Sequence, residues 1–135
     1  MPERLDELHH VGIAVKNLEE AKTVYCDILG LECIEEKILP ERGVQVAFLE
    51  TGNTRIELLE GIGDESTVSK FVERHGPGVH HLCFEVDDIA RVLSELSGSG
   101  VRLIDEKPRP GAEGKLVAFL HPKSTNGVLI ELSEK

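Results

Sequence analysis

Two stretches of the chain alternate apolar and polar residues around a pair of adjacent histidines, which is the pattern of a half-buried β-strand. The first stretch is Leu8-His9-His10-Val11-Gly12-Ile13-Ala14-Val15, and the second is Val79-His80-His81-Leu82-Cys83-Phe84-Glu85-Val86. About fifty residues after each stretch the chain reads Ile-Glu-Leu, at residues 56–58 and 130–132. The equivalent histidines are 71 residues apart and the equivalent glutamates 74. The sequence therefore predicts a duplicated unit.

The first copy predicts the element order βαβββ. Asn17 and Glu20 resemble a capping box at the start of a helix that Gly30 ends. The apolar residues of that helix form one stripe, which consists of Leu18, Ala21, Val24, Tyr25, Ile28 and Leu29. Three further strands are predicted at residues 31–38, 44–50 and 55–59, with turns at 40–43 and 51–54.

The second copy predicts the same order. Its strand at 79–86 leads into a helix that Asp87 or Asp88 caps and that residues 97–100 end. The packing face of this helix is Ile89, Val92, Leu93 and Leu96. Strands are predicted near 101–105, 115–120 and 127–132, and a loop without regular structure at 108–114. The segment between the copies contains a short helix that Ser66 caps and that packs through Val68, Phe71 and Val72.

These elements predict an α+β fold. Two tandem βαβββ modules are expected to form one curved eight-stranded mixed sheet around a metal site, with the helices outside. Module one spans about residues 8–60, a connector spans 61–78, and module two spans about 79–133. Because a module of roughly 50 residues cannot bury its sheet alone, residues 1–135 are expected to form a single domain.

Composition narrows the classes of function. A formal charge of −10 argues against nonspecific nucleic-acid binding, and an anionic ligand needs a local cluster of Lys and Arg. No apolar run is long enough to predict a membrane span. Residues 1–6 lack the basic start and apolar run of a signal peptide, so the cytoplasm is the expected location. Cys26, Cys33 and Cys83 are expected to be reduced, mostly buried thiols.

Strand parity selects candidate metal ligands. Side chains two residues apart share a face, so His10 lies with Gly12 and Ala14, which leave space beside it, whereas His9 points away. The same argument selects His81 over His80. If the fold closes with the repeat, four side chains converge on one concavity: His10, Glu57, His81 and Glu131.

Two imidazoles and two carboxylates form an N/O donor set. Such a set suits a divalent ion such as Zn, Mn, Co, Fe or Ni, and neither a calcium cage nor a thiolate site is indicated. Taken singly, each histidine is more often a packed residue and each glutamate more often faces solvent. Their equivalent positions in a duplicated unit favour the metal site.

The paired units resemble the vicinal oxygen chelate superfamily and, within it, the methylmalonyl-CoA epimerase family. The resemblance covers roughly residues 8–133. It is carried by the two histidine stretches and by three further segments: Asn53-Thr54-Arg55-Ile56-Glu57-Leu58-Leu59, Asp64-Glu65-Ser66-Thr67-Val68, and His121-Pro122-Lys123-Ser124-Thr125-Asn126-Gly127-Val128-Leu129-Ile130-Glu131-Leu132.

The resemblance implies that His10, His81 and Glu131 bind a metal, and that Glu57 stands where the family has a Gln or Glu ligand. It also implies epimerisation of methylmalonyl-CoA at C2 by an isomerase, and a homodimer. The implied cofactor is a divalent ion, with Co or Mn preferred over Zn, Ni and Mg.

Epimerisation needs an acid/base on each face of C2. Glu57 and Glu131 are the symmetrical candidates, although a carboxylate bound to a metal is a poorer base. Some family members are thought to use a separate glutamate just after a Gly-Val pair, but Gly43-Val44-Gln45-Val46-Ala47 contains no carboxylate. A metal-bound water, Glu50 or Glu60 therefore stay open as the second base.

The CoA phosphates require cations, and Lys107, Arg109, Lys115 and Lys123 are predicted to cluster in the loop-rich second half, beside the proposed site. Lys115 and Lys123 are the residues predicted to bind these phosphates. Other functions stay open. A glyoxalase I-like lyase would use the same ligands, a metal-dependent oxygenase would need open positions that Glu57 disfavours, and a metal-free binding protein would not need His10 or Glu131. Segments 64–68 and 121–132 favour the isomerase.

Overall fold

The computed structural model of the protein describes residues 5–111 and 113–135. The chain divides into two compact units. The first consists of His10–His80, and the second consists of the described residues of His81–Lys135 together with residues 5–9. The two units correspond closely to the two predicted copies.

The first unit contains the βαβββ order that the sequence predicts. Its elements are β1 (Leu8–Val15, which begins in the second unit), α1 (Leu18–Lys22, continued by a wide turn over Thr23–Ile28), β2 (Glu32–Leu39), β3 (Val44–Glu50), β4 (Arg55–Gly61) and α2 (Thr67–His75). The strand order is β2-β3-β4-β1. The pair β1/β4 is parallel and the other two pairs are antiparallel.

Each face of this four-stranded sheet is covered by a different helix. Because side chains alternate along a strand, Leu58 lies on the face that α1 covers and Leu59 on the face that α2 covers. The α2 side includes Val68, with Phe71 and Val72 packed against it, as predicted. Ser66 Oγ accepts a hydrogen bond from the Ser69 N–H at 3.4 Å, which confirms the predicted cap of α2.

The predicted stripe of the first helix is wrong at Val24, Ile28 and Leu29, which are exposed, whereas Tyr25 packs against the core as predicted. Asn17 does cap the helix, since its Oδ1 accepts the Glu20 N–H at 2.9 Å. From Thr23, however, the turn widens, and the Leu29 N–H bonds to the Val24 carbonyl five residues back. A wide turn rotates the following residues around the helix axis. Ile28 is consequently 71% exposed, while Cys26 packs against the core.

The second unit repeats the topology. Its elements are β5 (Gly78–Val86, which begins in the first unit), α3 (Ile89–Gly98), β6 (Arg109–Pro110), β7 (Leu116–Leu120) and β8 (Ile130–Glu134), in the order β5-β8-β7-β6. The pair β5/β8 is parallel, and β8/β7 and β7/β6 are antiparallel. The predicted face of α3 packs on Val86, Ala118, Leu120, Ile130 and Leu132. Asp88 is the cap, because its carboxylate accepts the Arg91 N–H at 3.2 Å.

The predicted strand at 101–105 is wrong, and so is the prediction that 108–114 has no regular structure. Leu103 makes an isolated bridge to Leu120, and the Asp105 carboxylate, rather than a backbone carbonyl, accepts the Phe119 N–H at 2.8 Å. The strand that pairs with the outer side of β7 is instead β6, which lies within the predicted loop. Pro110 is tolerated there because β6 ends the strand order, where an N–H is not required. Residue 112 of that loop lies outside the described residues.

None of the helices in the described ranges is both long and apolar enough to cross a membrane.

Candidate active site and metal centre

The first unit holds a buried His–Glu pair. The parallel register of β1 and β4 places Gly12 opposite Glu57, two residues beyond His10. His10 and Glu57 meet, with 3.1 Å between Nδ1 and Oε2. Their side chains are only 7% and 12% exposed. The pair lies on the face of the sheet that carries Ala14 and Leu59, away from α1.

The second unit holds an equivalent pair. Cys83 lies opposite Glu131 in the parallel register of β5 and β8, two residues beyond His81. The distance between His81 Nε2 and Glu131 Oε1 is 3.2 Å, and the side chains are 8% and 6% exposed. The pair lies on the face away from α3, because Leu132 and Ile130 point to that helix. Both units therefore present the residues that strand parity selects.

The two pairs have donors that fit a divalent metal ion. Two ligand atoms that bind one ion at right angles, each at about 2.1 Å, lie about 3 Å apart. The observed separations of 3.1 and 3.2 Å are close to that value. Imidazole nitrogen and carboxylate oxygen suit Zn, Mn, Co, Fe or Ni, so each pair is chemically able to contribute two ligands. The pairs differ in one respect, since His10 uses Nδ1 and His81 uses Nε2.

A phenylalanine beside each glutamate was missed by the sequence reasoning. Phe48 of β3 lies opposite Glu57, and Phe119 of β7 lies opposite Glu131. The Phe119 ring also meets the His81 ring edge-on, with centroids 6.1 Å apart. A detectable signal existed, because Val-Ala-Phe-Leu occurs at residues 46–49 and again at 117–120. These rings give each pair an apolar wall.

A cation lies over each of these rings. Lys37 of β2 has its Nζ 5.8 Å from the Phe48 centroid. The guanidinium carbon of Arg109 in β6 is 5.6 Å from the Phe119 centroid. Both distances suit a cation–π contact. Arg109 therefore lies over the ring next to Glu131, whereas the sequence analysis placed it beside the site only as one of four candidate phosphate-binding cations.

The strand register places two of the alternative bases, Glu50 and Glu60, on opposite faces of the sheet. Glu60 lies on the opposite face from Glu57, where its carboxylate accepts the Leu18 N–H at the start of α1 at 2.6 Å. Its equivalent in the second unit, Glu134, accepts the Ile89 N–H at 3.1 Å. Glu60 is therefore a helix-capping residue. Glu50, which lies opposite Arg55, shares the face of Glu57.

The remaining candidates occupy separate places. His80, which strand parity rejects as a ligand, packs edge-on against Phe71 with centroids 5.0 Å apart. Lys115 precedes β7 and Lys123 follows it, in a turn where the Lys123 N–H donates to His121 Nδ1 at 3.1 Å. The five residues of β7 span roughly 17 Å, so these lysines do not form one cluster. Desolvation lowers the pKa of His121, and the nearby positive charges of Arg102 and Lys123 lower it further.

The comparison with known families defines the class of protein. A sequence model of the Glyoxalase/Bleomycin resistance protein/Dioxygenase superfamily matches residues 9–119. The mitochondrial methylmalonyl-CoA epimerase of Dictyostelium discoideum is 45% identical over 97% of this chain and 80% of its own length. The match to the superfamily model includes His10, Glu57 and His81 but ends before Glu131.

Solved structures extend the likeness to the whole fold. The methylmalonyl-CoA epimerase of Mycobacterium tuberculosis is 35% identical, with a TM-score of 0.90 over 99% of this chain and 91% of that one. A methylmalonyl-CoA epimerase solved with methylmalonyl-CoA and NH4+ is 33% identical, with a TM-score of 0.88 over 98% and 96%. The chain belongs to the methylmalonyl-CoA epimerase family of this superfamily. The predicted family, the α+β fold class and the enzyme class, an isomerase, are confirmed.

Proposed function

We propose that the protein epimerises methylmalonyl-CoA at C2 with the help of a divalent metal ion. The observation that carries the proposal is the pair of buried His–Glu contacts at equivalent positions of the two modules. Members of the family bear the name of this reaction, and one of them was solved with methylmalonyl-CoA bound.

The proposed metal ligands are His10, Glu57, His81 and Glu131, and the preferred ion is Co²⁺ or Mn²⁺, with Zn²⁺, Ni²⁺ and Mg²⁺ as further candidates. A bound ion would supply Lewis-acid stabilisation of the negative charge that develops on the thioester oxygen when the C2 proton leaves. The donor chemistry and the separations within each pair support this assignment. One ion per chain is expected.

The proton transfers are assigned to Glu57 and Glu131. Epimerisation removes a proton from one face of C2 and returns one to the other, so it needs two acid/base groups. The duplication provides two carboxylates in equivalent surroundings, each beside an imidazole and a phenylalanine. The apolar rings exclude water from one side of each carboxylate, which strengthens its electrostatic interactions. Glu50 is the alternative base in the first module.

The reaction is tested by proton exchange in D2O. The purified protein should incorporate deuterium at C2 of (2R)- and (2S)-methylmalonyl-CoA and interconvert them, as followed by proton NMR and an enantiospecific mutase. Absence of both exchange and epimer would refute the proposal. Removing one base should separate deuterium exchange at C2 from epimerisation. Glu57→Gln or Glu131→Gln with retained metal should abolish epimerisation while leaving exchange from one epimer.

Three further assignments belong to this proposal. Lys115 and Lys123 would bind phosphates of CoA, the chain would act as a single domain, and it would form a homodimer. Lys115 is half-buried and Lys123 is exposed, which suits contact with an extended ligand. Lys115→Met and Lys123→Met should each raise KM for the CoA thioester, and sedimentation should give twice the chain mass.

A further inference from the structure

Arg109 occupies a defined position beside the second His–Glu pair. In β6 it lies opposite Val117, on the face that also carries Phe119 and Glu131. Its guanidinium carbon is 5.6 Å from the Phe119 centroid. The same ring stands edge-on to His81 and has Glu131 as its cross-strand neighbour. The cation is therefore one side chain away from the proposed catalytic carboxylate.

Asp105 holds Arg109 in this position. One oxygen of its carboxylate is 3.3 Å from Arg109 Nε, and the other accepts the Phe119 N–H at 2.8 Å. The Asp105 side chain is 18% exposed. One carboxylate thus fixes both the ring and the cation above it. The ion pair uses Nε, whereas a guanidinium carries four further N–H donors on its terminal nitrogens.

The arrangement occurs twice in the chain. Lys37 lies opposite Val46 in β2, over Phe48, and Phe48 lies opposite Glu57. Lys37 also has an acidic partner, Glu35, at 3.8 Å. The register is the same as that of Arg109, Val117, Phe119 and Glu131. Only the second module, however, has a guanidinium at this position, with the planar donor geometry that matches a carboxylate.

We propose that Arg109 binds the free carboxylate of the substrate's acyl group and so selects thioesters that carry one. The inference rests on the proposed function, in which the acyl group lies at the glutamates. A carboxylate on C2 would be within the neighbourhood of Glu131, and a chain of charge −10 needs a local cation to hold it. The CoA phosphates lie far along the pantetheine arm from C2, so a cation placed beside Glu131 suits the carboxylate better.

The test compares the binding of malonyl-CoA and acetyl-CoA by calorimetry with the metal-loaded protein. Both ligands carry the same phosphates, so the ratio of their affinities isolates the carboxylate. The wild type should prefer malonyl-CoA, and Arg109→Met should reduce this preference about 10- to 100-fold, the range for a lost hydrogen bond between charged groups. Arg109→Lys should recover part of it. With methylmalonyl-CoA as substrate, Arg109→Met should raise KM more than it lowers kcat.

Arg91→Met is the matched control. Arg91 also pairs through Nε with a carboxylate four residues away, that of Glu95 at 3.1 Å, but it lies on α3 and is 61% exposed. This variant should keep the wild-type preference. An unchanged preference in Arg109→Met would overturn the inference, and so would equal losses for both ligands, which would indicate a phosphate contact. Protein that prefers malonyl-CoA, loses this preference in Arg109→Met and yet does not epimerise would refute the proposed function and leave carboxylate binding by Arg109 standing.

Discussion

Saturation with Co²⁺ or Mn²⁺ should raise the melting temperature of the protein, and Glu131→Gln should remove most of the increase. A ligand that binds only the native state at 100 times its Kd adds about 2.7 kcal/mol to the free energy of unfolding. For 135 residues, the unfolding entropy near 60 °C is about 0.28 kcal/mol/K. The expected increase for the wild type is therefore about 10 °C.

The Gln variant keeps the shape of the side chain and removes its charge. Glu131 is 5% exposed, and its Oε1 is 3.2 Å from His81 Nε2, so little solvent replaces the lost interaction. If the affinity for metal falls about 100-fold, the same metal concentration adds only about 0.4 kcal/mol, or between 1 and 2 °C. In EDTA, loss of the contact itself costs about 1 kcal/mol, roughly 4 °C.

The assay is differential scanning calorimetry of each protein in EDTA and in excess metal. Glu134→Gln is the control, because Glu134 belongs to the same strand but its carboxylate accepts the Ile89 N–H on the opposite face. This variant should lose stability and keep the 10 °C response to metal. Equal responses in wild type and Glu131→Gln would refute the ligand assignment. Two ions per chain, measured by mass spectrometry, would mean that each His–Glu pair binds its own ion.

Three other predictions concern the scaffold. Leu132→Ala, which empties a fully buried position between β8 and α3, should lower the free energy of unfolding in urea by about 2–5 kcal/mol. Asp88→Ala should lower it by about 1 kcal/mol through loss of the α3 cap, and Asp88→Asn should restore most of it. Burial raises the pKa of the Cys26 thiol. Its alkylation by iodoacetamide should therefore need a higher pH to reach the rate of a cysteine in an unstructured peptide.

The strand-based parts of the fold and site were predictable because a period of two is insensitive to small errors in element ends. A strand extended by one residue still keeps His10 and Gly12 on one face, so the pairs followed from parity and duplication alone. In a helix, by contrast, one extra residue in a turn changes the face on which the later residues lie. One wide turn after Lys22 rotated Ile28 into solvent, and no residue in Thr23–Ile28 signals it by composition.

The surroundings of the glutamates were harder to predict for a different reason. Phe48 and Phe119 lie within apolar runs, where a site residue and a core residue have the same pattern. Arg109 was assigned to a loop because Pro and Gly surround it, yet two residues suffice for an edge strand that aims its side chain at Phe119. Comparing the two halves position by position, rather than reading each in turn, would have revealed the repeated Val-Ala-Phe-Leu.

The differences between the modules carry as much information as their likeness. C2 of the proposed substrate loses and gains a proton on opposite faces, a demand that two equivalent glutamates meet. Its other substituents, a thioester and a carboxylate, are unlike, so the groups that recognise them must also differ. The modules differ at the corresponding places: Lys37 stands where the second module has Arg109, and Gly12 where it has Cys83. Unequal cations on a duplicated scaffold thus agree with the proposed reaction, in which the two proton transfers are alike and the two other substituents of C2 are not.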